Sequence, residues 1–131
     1  MSGDAVAGRT VVITGAASDL GRALALGFLK DGAKVVAADI DGDGLAAAGA
    51  AGAITVQADV TRPDDVERVA QTALARTGRL DVLFNNAGLG ANTKIEDLEP
   101  GVFERFVSVH LFGALYGLKA ALPIMRAQGY G

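Results

Sequence analysis

Cysteine is absent from the 131 residues, which excludes disulfides, thiolate nucleophiles and thiolate-bound metals. A single histidine, His110, rules out a histidine metal cluster, and no stretch resembles a calcium loop. Basic residues are few and scattered. The 12 Lys and Arg stand against 15 Asp and Glu, for a net charge of -3 and a pI near 5.0, so no nucleic-acid partner is expected. No apolar run reaches membrane-spanning length without a charge. The N-terminal MSGDAVAGR carries an acidic residue and no apolar core, so neither signal peptide nor anchor is expected. A cytoplasmic protein without membrane partners is the expectation.

What is present suits one soluble domain: 50% hydrophobic residues, many of them alanine, with 21% charged and 18 glycines. After a loose leader over residues 1–8, TVVIT (Thr10 to Thr14) reads as a buried strand closed by Gly15. A helix is expected from Leu20 to Lys30, with Leu20, Leu24 and Phe28 on one face. AKVVAAD, Ala33 to Asp39, predicts a second strand, and the alanine- and glycine-rich stretch 41–52 a short, weak helix. A third strand follows over Ala53 to Ala58. Thr61 then caps a helix with Pro63 in its first turn, running to about Arg76 with Val66, Val69, Ala70, Ala73 and Leu74 inward. LDVLFNNAG, Leu80 to Gly88, is a fourth strand entering a turn, and residues 89–99 are a loop. The longest helical pattern spans Val102 to about Met125. Phe103, Phe106, Val107, Leu111, Leu115 and Leu118 lie at core spacing, and Pro123 near its end should loosen the last turn. Strand and helix thus alternate four times. That pattern predicts an α/β, three-layer, Rossmann-like parallel sheet in one domain over residues 1–131.

Function is legible at the strand ends. TGAASDLG, Thr14 to Gly21, places a glycine turn between a strand and a helix, where backbone N–H groups can hold a phosphate. Asp39 closes the second strand, near the roughly 20-residue offset of a carboxylate that bonds an adenosine ribose and repels a 2′-phosphate, so NAD is expected over NADP. Asp59 and Asn85-Asn86-Ala87-Gly88 fall at further carboxyl ends of strands, the edge where open α/β sheets bind ligands.

These landmarks, with the helix SVHLFGALYGLKAALPIM, resemble the short-chain dehydrogenase/reductase family. The resemblance implies that Gly15, Ser18, Asp19, Leu20 and Gly21 wrap the pyrophosphate and that Asp39 binds the ribose. It places Asp59 and Val60 by the adenine, and Asn86, Ala87 and Gly88 beside the cofactor. It further implies hydride transfer between a nicotinamide and a small carbonyl or alcohol substrate. Two positions depart from the family pattern. Asp19 replaces the middle glycine of the turn, where it should weaken phosphate binding, cap the helix itself, or point to solvent. His110 stands where the family has an asparagine of the proton relay, making it the one candidate catalytic residue.

The family's catalytic serine and Tyr-x-x-x-Lys pair have no counterpart here, since Tyr116 has Ala120 four positions on. The expectation is therefore the N-terminal cofactor-binding half alone: an incomplete, truncated fold of about four strands, inactive by itself. Its long helix or its open sheet edge is expected to form a homo-oligomer. A non-catalytic binding or oligomerisation module and a binder of another adenine nucleotide are the alternatives.

Overall fold

The computed structural model describes residues 5–131. Four strands, β1 (Thr10–Thr14), β2 (Lys34–Asp39), β3 (Ile54–Gln57) and β4 (Val82–Phe84), form one parallel sheet in the order β3-β2-β1-β4. The register pairs Val12 with Val36 and Leu83, and Ala38 with Val56. β-branched residues fill β1 because both faces of this strand are buried. Val11, Ile13, Val35 and Ala37 pack on one side against α1 (Asp19–Lys30) and the short α2 (Ala46–Ala50). Val12, Val36, Ala38 and Val56 pack on the other side against α3 (Pro63–Thr77) and α5 (Gly113–Gln128). Each fully buried Val or Ile contributes about 1.5–3 kcal/mol of hydrophobic stabilisation.

The long C-terminal helix is continuous over Pro100–Gln128 but not uniform. It runs as α4 (Pro100–Phe106), a π-helical segment (Val107–Phe112) and α5. By length and composition it is apolar enough to cross a membrane, with a mean hydropathy of 1.4 in its most apolar window. In this fold its buried face packs on α3.

Several expectations change in detail. Residues 5–8 of the expected leader form a turn whose Val6 is buried in the core, and Gly8 donates to the Gly32 carbonyl; residues 1–4 lie outside the described residues. Leu20 turns outward, 64% exposed, instead of sharing the face of Leu24 and Phe28. Thr61 does not cap α3: its hydroxyl and N–H both donate to Asp59, leaving Arg62 at the cap without a side-chain bond. Pro123 sits inside α5, which continues to Gln128 and ends at Gly129. The leucines at core spacing, Leu111, Leu115 and Leu118, face outward. Gly113, Gly117, Ala120, Ala121 and Ile124 are buried instead, because small side chains let the helix approach Val60, Asn85 and α3 closely.

Candidate dinucleotide site

β1 and β4 are neighbours in space although two strands separate them in sequence, so the turns leaving them meet at the carboxyl edge of the sheet. Thr14 joins them. Its Oγ1 donates to the Phe84 carbonyl (3.3 Å) and accepts from the N–H groups of Asn86 and Ala87 (both 3.1 Å). Asn86 Nδ2 donates to the carbonyls of Thr14 and Gly15 at 3.1 and 3.2 Å. Gly15 has φ +66° and lies so near Ala87 that an added Cβ would sit 2.7 Å from the Ala87 Cα. A Cβ on Gly21 would overlap the Gly15 carbonyl oxygen. Both glycines are therefore required by close approach of backbones.

The helix start has donors to offer an anion. Ser18 is the N-cap: its Oγ accepts from the Gly21 N–H at 3.1 Å and donates to the Gly15 carbonyl at 2.7 Å. Asp19 and Leu20 occupy the first two helical positions, and their N–H groups have no acceptor among the described residues. These two donors, at the positive end of α1, fit a phosphate. Asp19 neither caps the helix nor turns inward. Its side chain is fully exposed and pairs with Arg22 at 2.9 Å, which takes the carboxylate away from the turn and partly neutralises it. Of the three expected behaviours of Asp19, pointing to solvent is the one the structure adopts.

Asp39 holds the other end. One carboxylate oxygen accepts from the Ala17 N–H and the other from the Asp41 N–H, both at 2.9 Å. The side chain thereby organises the glycine turn as well as the loop after β2. Beyond it, Asp65 accepts the Asp59 N–H at 2.9 Å. That bond, with Arg68 beside it, holds the Asp65 carboxyl below the usual carboxylate range.

A pocket of about 1120 Å³ opens along this edge. Gly15, Ser18 and Leu20 line it at the first turn and Asp39 at the second. Asp59 and Val60 follow, with Asn86, Ala87 and Gly88 on the wall after β4. Asp19, Gly21 and His110 are not part of the lining. Gly21 shapes the turn from behind, and His110 lies behind Leu89, to which its ring nitrogen is bonded. Sequence reasoning missed Thr14 as the link between the two turns. It also missed the far wall of the pocket, where Ser108, Phe112 and Tyr116 recur every four residues along the long helix, with Val109 beside them. Phe112 and Tyr116 stack there, their ring centroids 6.2 Å apart.

The family profile described as short chain dehydrogenase matches residues 9–131. The chain belongs to the short-chain dehydrogenase family. It is 40% identical to tropinone reductase-like 1 of Erythroxylum coca over 131 residues, covering 95% of this chain and 48% of that protein. The crystal structure of levodione reductase superposes with a TM-score of 0.90 at 38% identity, over 96% of this chain and 52% of the other. The structure of 3-ketoacyl-(acyl-carrier-protein) reductase from Brucella melitensis, complexed with NADH, superposes with a TM-score of 0.90 at 37% identity, over 94% and 52%. The chain thus spans about half the length of the relatives it matches.

These findings correct the description of the chain as an N-terminal cofactor-binding half with a truncated, incomplete fold. The family match is not confined to a cofactor-binding part of this chain; it takes in essentially all of it, and the five α-helices continue to residue 128. The last helix is anchored rather than loose. Gln128 Nε2 donates to the Leu80 carbonyl and its Oε1 accepts the Leu80 N–H, both at 2.8 Å. The expectation of inactivity, drawn from a missing serine and Tyr-x-x-x-Lys, rested on that description and is withdrawn with it. So is the alternative of a non-catalytic module. The fold and its turn are of the NAD(P)-binding Rossmann type.

Proposed function

We propose that this chain binds NAD at the carboxyl edge of its sheet and serves an oxidoreductase that exchanges hydride with a small carbonyl or alcohol substrate. The observation that carries this reading is the meeting of the two turns. The unused N–H groups at the start of α1, the close approach of Gly15 to Ala87, and the wall of Asn86 to Gly88 meet at one pocket, with Gly21 packing the turn from behind. In this reading the N–H groups of Asp19 and Leu20 receive the pyrophosphate, and Ser18 keeps the turn closed around it. Asp39, already fixed by two backbone donors, accepts from the ribose hydroxyls with its remaining lone pairs. Val60 and the Phe112–Tyr116 pair offer apolar surface to the adenine. When bound, the nicotinamide supplies the hydride acceptor or donor. The protein's share is orientation and electrostatics.

Asp39 supports NAD over NADP, because a carboxylate at the ribose repels a 2′-phosphate. The three matched proteins are reductases by name, and one of the two structures was solved with NADH, which supports a carbonyl substrate and a nicotinamide cofactor. Calorimetric titration of the purified chain with NAD, NADP and ADP tests the reading. Saturable binding with NAD preferred is expected, and Asp39→Asn should narrow the preference by about tenfold or more, the scale of one lost charge-assisted hydrogen bond. Equal affinity for ADP and NAD would instead mark an adenine-nucleotide site. No binding by the folded protein would sink the proposal.

The exposed residues Leu111, Leu115, Leu118 and Leu122 repeat along one helical face, which supports self-association through the long helix. Sedimentation velocity is expected to show a dimer or larger species that Leu115→Glu dissociates; a monomer at all concentrations would reject it. The packing of Pro100–Gln128 into this fold supports a cytoplasmic rather than a membrane setting.

A further inference from the structure

His110 is the only histidine in the chain. It lies in the π-helical segment, a geometry that recurs at functional sites, with the Phe106 ring edge-on to it at 6.1 Å. Its Nε2 is 3.0 Å from the Leu89 nitrogen and 2.9 Å from the Leu89 carbonyl oxygen. A Cβ on Gly88 would stand 2.8 Å from the ring, so the imidazole is pressed against this stretch of backbone. Leu89 lines the large pocket and His110 does not.

One ring nitrogen cannot satisfy a donor and an acceptor together. Without a proton, Nε2 accepts the Leu89 N–H and the ring proton resides on Nδ1. Once Nε2 takes a proton from solvent, the imidazolium donates to the Leu89 carbonyl and the N–H loses its partner. The geometry points to His110 as a positioning residue: the proton on its Nε2 selects which group of Leu89 is held, and so sets the wall of the pocket at Gly88 and Leu89. The proton comes from and returns to solvent, because His110 is exposed. The groups around the ring are Phe106 on its own helix, Thr14 at the end of β1, Val60 after β3 and Asn85 after β4; none is charged. Glu104 and Arg105, the nearest charges along the helix, line the large pocket instead. No ion pair reaches His110 among the described residues.

This goes beyond nucleotide binding, and only its consequence for affinity rests on that proposed function. Nitrogen-15 NMR of the full chain, from about pH 5 to 8 where imidazoles titrate, tests it without ambiguity because there is one histidine. At the upper end, Nε2 should be the unprotonated nitrogen and show a coupling across the hydrogen bond to the Leu89 amide. As the ring gains its proton, the coupling should vanish, and the Leu89 amide shift and exchange protection should change with the same midpoint. His110→Asn offers a donor and an acceptor at once and should keep Leu89 protected at every pH; His110→Phe should lose protection throughout. A wild-type Leu89 amide indifferent to the histidine titration, or a neutral ring carrying its proton on Nε2, overturns the proposal. NAD affinity should then change several-fold with that midpoint in the wild type and stay level in His110→Asn. Level affinity in a wild type whose Leu89 amide does titrate overturns the role in shaping the pocket. Absence of NAD binding at any pH would instead strike the proposed function, with the amide signals still deciding this one.

Discussion

Replacing Asp81 by alanine is expected to destabilise the protein by about 2–4 kcal/mol, a large part of a domain's usual margin. Asp81 sits at the amino edge of the sheet, opposite the pocket, with its side chain 2% exposed. One oxygen accepts the Thr10 N–H at 2.8 Å and the Arg79 Nε at 2.7 Å, while the other accepts from Arg79 Nη2. Arg79 also lies over the Tyr130 ring, so the same cluster gathers the starts of β1 and β4 and the end of α5. Alanine would leave the Thr10 N–H buried without an acceptor, which costs about 1–3 kcal/mol by itself. Arg79 reaches solvent and can rehydrate, so the loss stays below that of a fully buried pair.

The pH dependence follows from the same contacts. The Arg79 guanidinium, and then the Thr10 N–H, hold the Asp81 carboxyl below its ordinary value of 3.8. A depressed folded-state pKa means that the unfolded chain binds the proton first. The contribution is therefore complete above the ordinary carboxylate range and lost as pH falls through that value towards the lower folded one. Urea unfolding from neutral to acidic pH should show this decline in the wild type and a shallower one in Asp81→Asn. An Asp81→Ala midpoint within error of wild type would refute the role given to this cluster.

Replacing Gly15 by alanine should destabilise the fold by about 2–5 kcal/mol and abolish dinucleotide binding. The left-handed backbone costs a residue with a side chain about 1–2 kcal/mol, and overpacking a close contact about 1–3 more. Here the new methyl would press on Ala87 Cα and N and on Asn86 Nδ2, at 2.7, 3.0 and 3.1 Å. Relief requires the two turns to part, which opens the pocket wall as well. Gly27→Ala is the matched control. That glycine lies within α1 with open space around it, so alanine there should stabilise by about 0.5–1 kcal/mol and leave binding intact. Thermal unfolding and NAD titration of both variants decide the matter. A Gly15→Ala protein that is stable and binds NAD would show that the approach of the two turns is dispensable.

Much of this architecture is local in origin. TVVIT read as a buried strand, and Gly15 after it marked a turn into a helix. Pro63 at the start of α3 and Gly78 after its end bounded that helix through backbone geometry that neighbouring residues dictate. Asp39 and Asn86 could be placed at the carboxyl ends of strands for the same reason. The parallel alternation followed from element order, and with it the edge on which a ligand would lie.

Tertiary structure decided what periodicity cannot distinguish. The leucine spacing of the long helix predicted Leu111, Leu115 and Leu118 inside, yet the glycine and alanine face is buried. Hydrophobicity ranks side chains by surface, whereas contact with α3 and Asn85 selects them by how closely two backbones can approach. Thr61 matched a cap by type but was taken by Asp59, an outcome set by competition between neighbours in space. Asp19 was ambiguous until Ser18 held the cap and Arg22 drew the carboxylate outward. His110 stood in the long helix with no partner in view, because Leu89 reaches it only after β4 has paired with β1. Local chemistry thus determined the elements and the site's edge. The inward face, the orientation of charges and the joining of the two turns were decided by contacts between residues far apart in the chain.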